Sequence, residues 1–183
     1  LSKMWKKTGG VWAVTESWSK VWKRVSGVWG KAYSRALQLY TLGVQNVVWN
    51  NTPNSRTTVN WLADHVYTSV VGWHSNEGNE STQNYIYPYY RIDVTAYTKL
   101  CIDWDLTFTG NANNCLYFGL YDSVPNAGLP SLGVSISRSG GFTRKITIID
   151  ITSATGMWYP QIYMSADGNV STTSINMYNM WLE

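Results

Sequence analysis

An all-β chain, an antiparallel β-sandwich preceded by a short region of Trp-rich β-hairpins, is what this sequence predicts, and three observations carry the prediction. A near-copy recurs at a period of 17 residues, Met4-Trp5-Lys6-Lys7-Thr8-Gly9-Gly10-Val11-Trp12 against Val21-Trp22-Lys23-Arg24-Val25-Ser26-Gly27-Val28-Trp29, with a turn-compatible pair between two Trp/Val runs in each copy. Beyond residue 42 the chain breaks into many short alternating runs separated by Asn, Gly, Ser, Asp and Pro clusters, which is sandwich spacing. No helix-length periodic run interrupts them, so two packed sheets are favoured over an α/β arrangement.

Residues 1–41 form the repeat region. A competing helix is visible, because Trp18, Trp22, Val25, Trp29, Ala32, Ala36 and Tyr40 fall on one stripe at spacings of three and four. Gly27 and Gly30 in its middle, the Trp and Val content, and a period that matches no whole number of helical turns favour hairpins. The stretch Ala32 to Tyr40 lacks the turn pair and stays open to helix. In hairpin register Lys7 lies across from Trp12 and Arg24 across from Trp29, so each pair is set to stack a cation on an indole face. Trp5, Lys7, Trp12, Trp22, Arg24 and Trp29 are therefore the candidate anchoring or oligomerisation residues. Two-stranded ribbons this short need something to pack on.

Residues 42–183 form the sandwich, with strands expected at Val44 to Trp49, Thr57 to Leu62, Val66 to Trp73, Asn84 to Ile92, Thr98 to Phe108, Cys115 to Tyr121, Gly133 to Ser137, Thr143 to Ile149, Trp158 to Met164 and Thr173 to Leu182. A hairpin joining Cys101 to Tyr121 through a Thr109 to Asn114 loop pairs Ile102 with Leu120, Trp104 with Phe118 and Leu106 with Leu116 on a core face. Its opposite face gathers Asp103 and Asp105 beside Tyr117 and Tyr121, since side chains alternate along a strand. Tyrosine rings stack on the apolar side of a pyranose and carboxylates accept from its hydroxyls, so these four are the candidate carbohydrate-binding residues. The competing reading is a solvated face, or one covered by a neighbouring subunit. Tyr85, Tyr87, Tyr89 and Tyr90 also cluster, and Pro88 among them predicts an edge strand or a bulge.

Composition sets limits on the rest. The 183 residues are 44% apolar and 14% charged, with eleven Trp and thirteen Tyr against three Phe, an aromatic load suited to contact surfaces. Eight cations against Glu16 make residues 1–35 strongly basic, while the remainder carries six cations and ten carboxylates, a split that reads as a docking segment and an acidic body, or as two halves that attract each other. The acidic body argues against nucleic acid as a partner. No run reaches the roughly 18 apolar residues of a membrane span, and the basic start lacks the apolar stretch of a secretory signal. Cys101 and Cys115 are expected as free thiols. His65 and His74 sit in unrelated contexts with no zinc-ligand spacing. Nucleophile-elbow, phosphate-loop and dinucleotide motifs are missing, and Asp103 and Asp105 point the same way from one strand about 7 Å apart, unlike glycosidase carboxylates that flank a bond. A non-enzymatic chain without a cofactor is expected. Three Asn-x-Ser/Thr triplets, at Asn50, Asn79 and Asn169, are of a kind that arises by chance in such loops.

The V-W-K-x-V-x-G-V-W repeats, followed by segments such as YRIDVTAYTKLCIDWDLTF, NNCLYFGLYD, KITIIDITSATGMWYPQIYM and TTSINMYNMWLE, resemble structural and tail-associated proteins of tailed phages and prophages with a terminal galactose-binding-like jelly-roll sandwich. The resemblance implies a virion component on the particle surface, capsid-decorating or tail-associated, whose repeats anchor to other virion proteins in a homo-oligomer and whose sandwich contacts host-surface glycans. It also implies a structural calcium ion, for which no compact acidic cluster is visible. A secreted bacterial carbohydrate-binding module and a purely architectural subunit are the alternatives, because fold does not fix function.

Overall fold

The computed structural model describes the chain apart from residues 1–3, 9–10, 16–19, 26–27, 35, 53–54, 76–77, 81, 110–114, 124–130, 137–140 and 167–170, and within 1–35, within 73–80 and at position 115 it describes the backbone alone. Two units result, Leu1–Ala36 and Leu37–Glu183.

The first unit is two antiparallel ribbons. β1 (Met4–Thr8) pairs β2 (Val11–Thr15), and β3 (Lys20–Val25) pairs β4 (Val28–Ser34). Lys7 is opposite Trp12 and Arg24 is opposite Trp29, the register read from the sequence. Each pair of strands is separated by two residues at the expected turn positions, so propensity and turn chemistry outweigh the helical stripe. The stacking of those cations on the indoles, and the side chains of Trp5 and Trp22, lie outside the described residues.

The second unit is a jelly-roll-like sandwich whose strands are β5 (Leu37–Thr41), β6 (Val44–Gln45), β7 (Trp49–Asn51), β8 (Thr57–Trp61), β9 (Val66–Val71), β10 (Trp73–Ser75), β11 (Gly78–Glu80), β12 (Thr82–Pro88), β13 (Ile92–Asp93), β14 (Lys99–Thr109), β15 (Cys115–Tyr121), β16 (Leu132–Ser135), β17 (Phe142–Asp150), β18 (Met157–Ala166) and β19 (Thr172–Leu182). One sheet runs β16-β15-β18-β12-β7, with β13 on β18. The other runs β17-β14-β19, with β9 and β8 along the first half of β19 and β5 and β6 along the second. β10 and β11 form a separate ribbon. The domain boundary falls at Ala36 rather than at residue 41, because Leu37–Thr41 is a strand of the second unit, hydrogen-bonded to β19. No part of Ala32 to Tyr40 is helical among the described residues. The β5–β6 turn has both central residues at positive φ, Leu42 at 41° and Gly43 at 86°, the twist that tight hairpins require. A Cβ at Gly43 would sit 2.2 Å from the Ala63 carbonyl oxygen.

The predicted Cys101 to Tyr121 hairpin does not form. β14 pairs β17 and β19 in one sheet, and β15 pairs β16 and β18 in the other. The inward faces were read correctly even so: Ile102, Trp104, Leu106, Leu116, Phe118 and Leu120 are all buried, meeting across the sandwich instead of along a ladder. Trp104 stands edge-on to Phe118 at 4.5 Å and to Phe142 at 4.6 Å between centroids, a favoured aromatic geometry. Its indole N–H donates to Thr147 Oγ1 at 2.8 Å, which satisfies the only polar atom of that side chain. The physical reason for the misread pairing is that jelly-roll connections carry consecutive strands to opposite sheets, and alternation alone reports a face, never a partner.

Candidate functional site

Separation of β14 from β15 divides the four candidate carbohydrate-binding residues between the two outer faces of the sandwich. Asp103 and Asp105 lie on the β17-β14-β19 sheet and are occupied by their own neighbours. Arg144 grips Asp103 with two hydrogen bonds, Nε to Oδ1 at 2.8 Å and Nη2 to Oδ2 at 2.6 Å, and Asn179 Nδ2 donates to Oδ2 at 2.8 Å. Asp105 accepts from the Asn176 side chain at 3.0 Å and from the Tyr178 hydroxyl at 2.7 Å. Two ladder irregularities aim these groups. Tyr178 is left unpaired between Met177 and Asn179, and β17 slips between Lys145 and Phe142, which lets Arg144 lie 3.9 Å above the Tyr178 ring. The guanidinium holds the Asp103 carboxyl below the usual carboxylate range, against the opposing effect of burial. Both carboxylates are thus engaged by their own sheet, and the expected Asp/Tyr shelf is not assembled, because Tyr117 and Tyr121 lie on the other one.

Tyr117 and Tyr121 belong to a different and larger constellation on the outer face of β15, β18 and β12. Alternation along β18 turns Ile162 and Met164 into the core and leaves Tyr159, Gln161 and Tyr163 on the opposite side. Register then lines up rings from three strands. Tyr85 and Tyr117 flank Tyr163, with centroids 5.0 Å and 6.0 Å away. Tyr87 meets Tyr159 edge-on at 5.7 Å, and Tyr159 pairs with Tyr121. Tyr85, Tyr87 and Tyr163 are buried and form the floor, whereas Tyr117, Tyr121 and Tyr159 are half-exposed and form its rim. The floor hydroxyls are tied down: Tyr85 donates to Gln83 Oε1 at 2.7 Å, and Tyr87 accepts from Asn50 Nδ2 at 3.1 Å. Burial, then the neighbouring Tyr159, pushes the Tyr87 phenol upward. Arg91 lies 5.6 Å over the Tyr159 ring.

Between the two tyrosine rows lies a strip with few side chains. Gln161 is opposite Gly119, and Gly119 is opposite Gly133. Gly133 admits nothing larger, because a Cβ there would approach the Phe118 carbonyl oxygen to 2.3 Å. Gln161 is 0% exposed, and among the described residues both its amide nitrogen and its amide oxygen lack a hydrogen-bond partner. Buried polar atoms are nearly always paired, and an unpaired one costs about 1–3 kcal/mol. An amide offering one acceptor and two donors in a fixed plane, set among aromatic rings, suits a pair of adjacent hydroxyls on an otherwise apolar ring.

Sequence reasoning singled out Tyr117 and Tyr121 and the Tyr85/Tyr87 alternation but not Tyr159, Gln161 and Tyr163, although the alternation of the two tyrosines is the same signal. β12 is an interior strand between β18 and β7, so the edge reading of its tyrosines is corrected. Pro88 is tolerated because it ends the strand, beyond the last residue paired with β18. Tyr89 and Tyr90 follow that end, exposed and edge-on to one another. Among the described residues no group of three or more His, Cys, Asp or Glu side chains is placed to hold a metal ion. No helix among them is long and apolar enough to cross a membrane. Cys101 is free and buried.

No protein-family model matches the chain, and no curated protein matches it. Among solved structures it is similar to a family 11 carbohydrate-binding module from Clostridium thermocellum in complex with a β-1,3-1,4-mixed-linked tetrasaccharide, at 16% identity over 80% of this chain and 94% of that one, with a TM-score of 0.44. It is similar to the K1 cleaved adhesin domain of Lys-gingipain from Porphyromonas gingivalis at 12% identity over 81% and 89%, TM-score 0.41. A carbohydrate-binding module that recognises mannan matches at 10% identity over 82% and 99%, TM-score 0.37.

Proposed function

We propose that the chain is a virion structural protein, capsid-decorating or tail-associated, that binds host-surface glycans through the tyrosine face of its sandwich and attaches to other virion proteins through its Trp-rich ribbons. The observation that carries the glycan half is Gln161, a fully buried amide whose two polar atoms are unpaired among the described residues, in a strip walled by tyrosines. The saccharide ring stacks on the half-exposed rims of Tyr117, Tyr121 and Tyr159 and displaces the side chains that seal the strip, which brings adjacent hydroxyls to the amide. Gly119 and Gly133 leave room for the chain of sugars to cross β15 and β16. The attachment half is supported by the duplicated ribbons and by the cation and indole placed opposite each other in both. Several copies on one particle would raise weak sugar contacts by avidity.

Screening the full-length protein on a glycan array, followed by titration calorimetry, tests the glycan half. Tyr117→Ala is expected to weaken binding by about tenfold, and Asn60→Ala, at an exposed position of β8 on the other sheet, to leave it unchanged. Silence across the array would favour the architectural subunit. Binding that survives with no association to purified particles, in wild type and in a Trp12→Ala/Trp29→Ala variant alike, would favour the free carbohydrate-binding module.

A further inference from the structure

The longest edge in the sandwich is β17, nine residues against five in β8, and among the described residues it pairs with β14 alone. Ile151 N–H donates to Thr98 C=O at 2.8 Å, which fixes the phase of the ladder. Thr147 and Ile149 turn their main-chain groups toward β14, and Ile146 and Ile148 turn theirs to the open edge. Both isoleucines are exposed, 55% and 60%. Edges of this length are normally guarded by proline or by outward lysine. β17 has no proline, Lys145 is drawn over the Phe142 ring at 3.7 Å, and Arg144 is held on Asp103.

We propose that β17 is the interface for a second copy of this chain, joined antiparallel about a two-fold axis at Thr147. Only self-pairing at this register makes the strand complementary to itself. Ile146 then faces Ile148 of the second copy, twice, and Arg144 faces Asp150, twice. Asp103 occupies Nε and Nη2 of Arg144, leaving Nη1, and Asp150 uses Oδ1 for Thr152, leaving Oδ2. The two isoleucine pairs fall at hydrogen-bonded positions, adding about four main-chain hydrogen bonds and extending the sheet continuously through both molecules. Like charges stay apart, since Arg144 lies three residues from the axis. The interface is independent of the tyrosine face, which is on the other sheet.

Residue-resolved amide exchange on the full-length protein, at micromolar and near-millimolar concentration and alongside sedimentation velocity, tests it. The expected result is a dimer at the higher concentration in which the Ile146 and Ile148 amides slow by about tenfold or more, while Thr147 and Ile149 are protected at both. Ile148→Lys should return the mass to monomer and the Ile146 amide to fast exchange. A monomer at both concentrations overturns the proposal, and so does a dimer whose Ile146 and Ile148 amides exchange as fast as in dilute solution, since it would assemble elsewhere.

Discussion

Replacing Gln161 with methionine should make the protein more stable and less able to bind. The amide is 0% exposed, and neither its nitrogen nor its oxygen is paired among the described residues, so the folded state carries the desolvation of a primary amide without compensation. Mutational data place that penalty at about 1–3 kcal/mol. Methionine has a similar length, adapts to irregular space and buries no strong donor or acceptor. Because no internal hydrogen bond is lost, Gln161→Met should recover most of the penalty, raising the melting temperature by about 3–8 °C for a unit of this size. Urea unfolding followed by far-UV circular dichroism gives the free energy, and calorimetric titration with an array-selected oligosaccharide should show binding weakened by about tenfold or more. A variant that keeps native near-UV dichroism but is less stable than wild type would refute the reasoning, because the amide would then have a partner within the fold.

Three other outcomes follow from the same geometry. Asp103→Asn removes one side of a two-point contact with Arg144 and should cost about 1–2 kcal/mol at neutral pH. Since Arg144 depresses the folded-state carboxyl, the advantage of wild type is complete above the ordinary aspartate range and is lost as pH falls through the depressed value, so stability curves of the two proteins should converge in acid. Burial pushes the Cys101 thiol up to about 11, so iodoacetamide at pH 8 should leave the Cys101 peptide unmodified in native protein and label it fully in urea, as read by mass spectrometry. Gly133→Ala forces a Cβ against the Phe118 carbonyl and should cost about 1–3 kcal/mol in the same urea assay.

What was legible in the residues was local. The ribbons and their register, Lys7 opposite Trp12 and Arg24 opposite Trp29 included, follow from the expectation that a two-residue turn leaves one way to close. Alternation picked the inward residues Ile102, Trp104, Leu106, Leu116, Phe118 and Leu120 correctly, although Cys101 and Asp103 on the opposite face are buried too. Partnership was not legible. Trp104 and Phe118 do touch, but across the sandwich, and no period in either strand distinguishes a ladder neighbour from a residue on the facing sheet. The candidate site suffered from this most. Asp103 and Tyr117 each lie on an outer face as expected, yet on opposite ones, and the tyrosine face is assembled from segments near 85, 120 and 160 that only the long-range pairing of β12, β18 and β15 unites. Gln161 gave no signal of its own, since an alternating Tyr-Pro-Gln-Ile-Tyr run looks like any half-exposed strand until its burial is seen.

The most direct test of the glycan-binding face is a nuclear magnetic resonance titration of the full-length protein with the tightest array-selected oligosaccharide, watching the side-chain NH2 of Gln161. The account predicts saturating shifts at that amide and at the backbone of Tyr117, Gly119 and Gly133, with Asp103 and Asp105 unmoved. Saturating shifts on the Asp103 sheet with a silent Gln161 amide would contradict it.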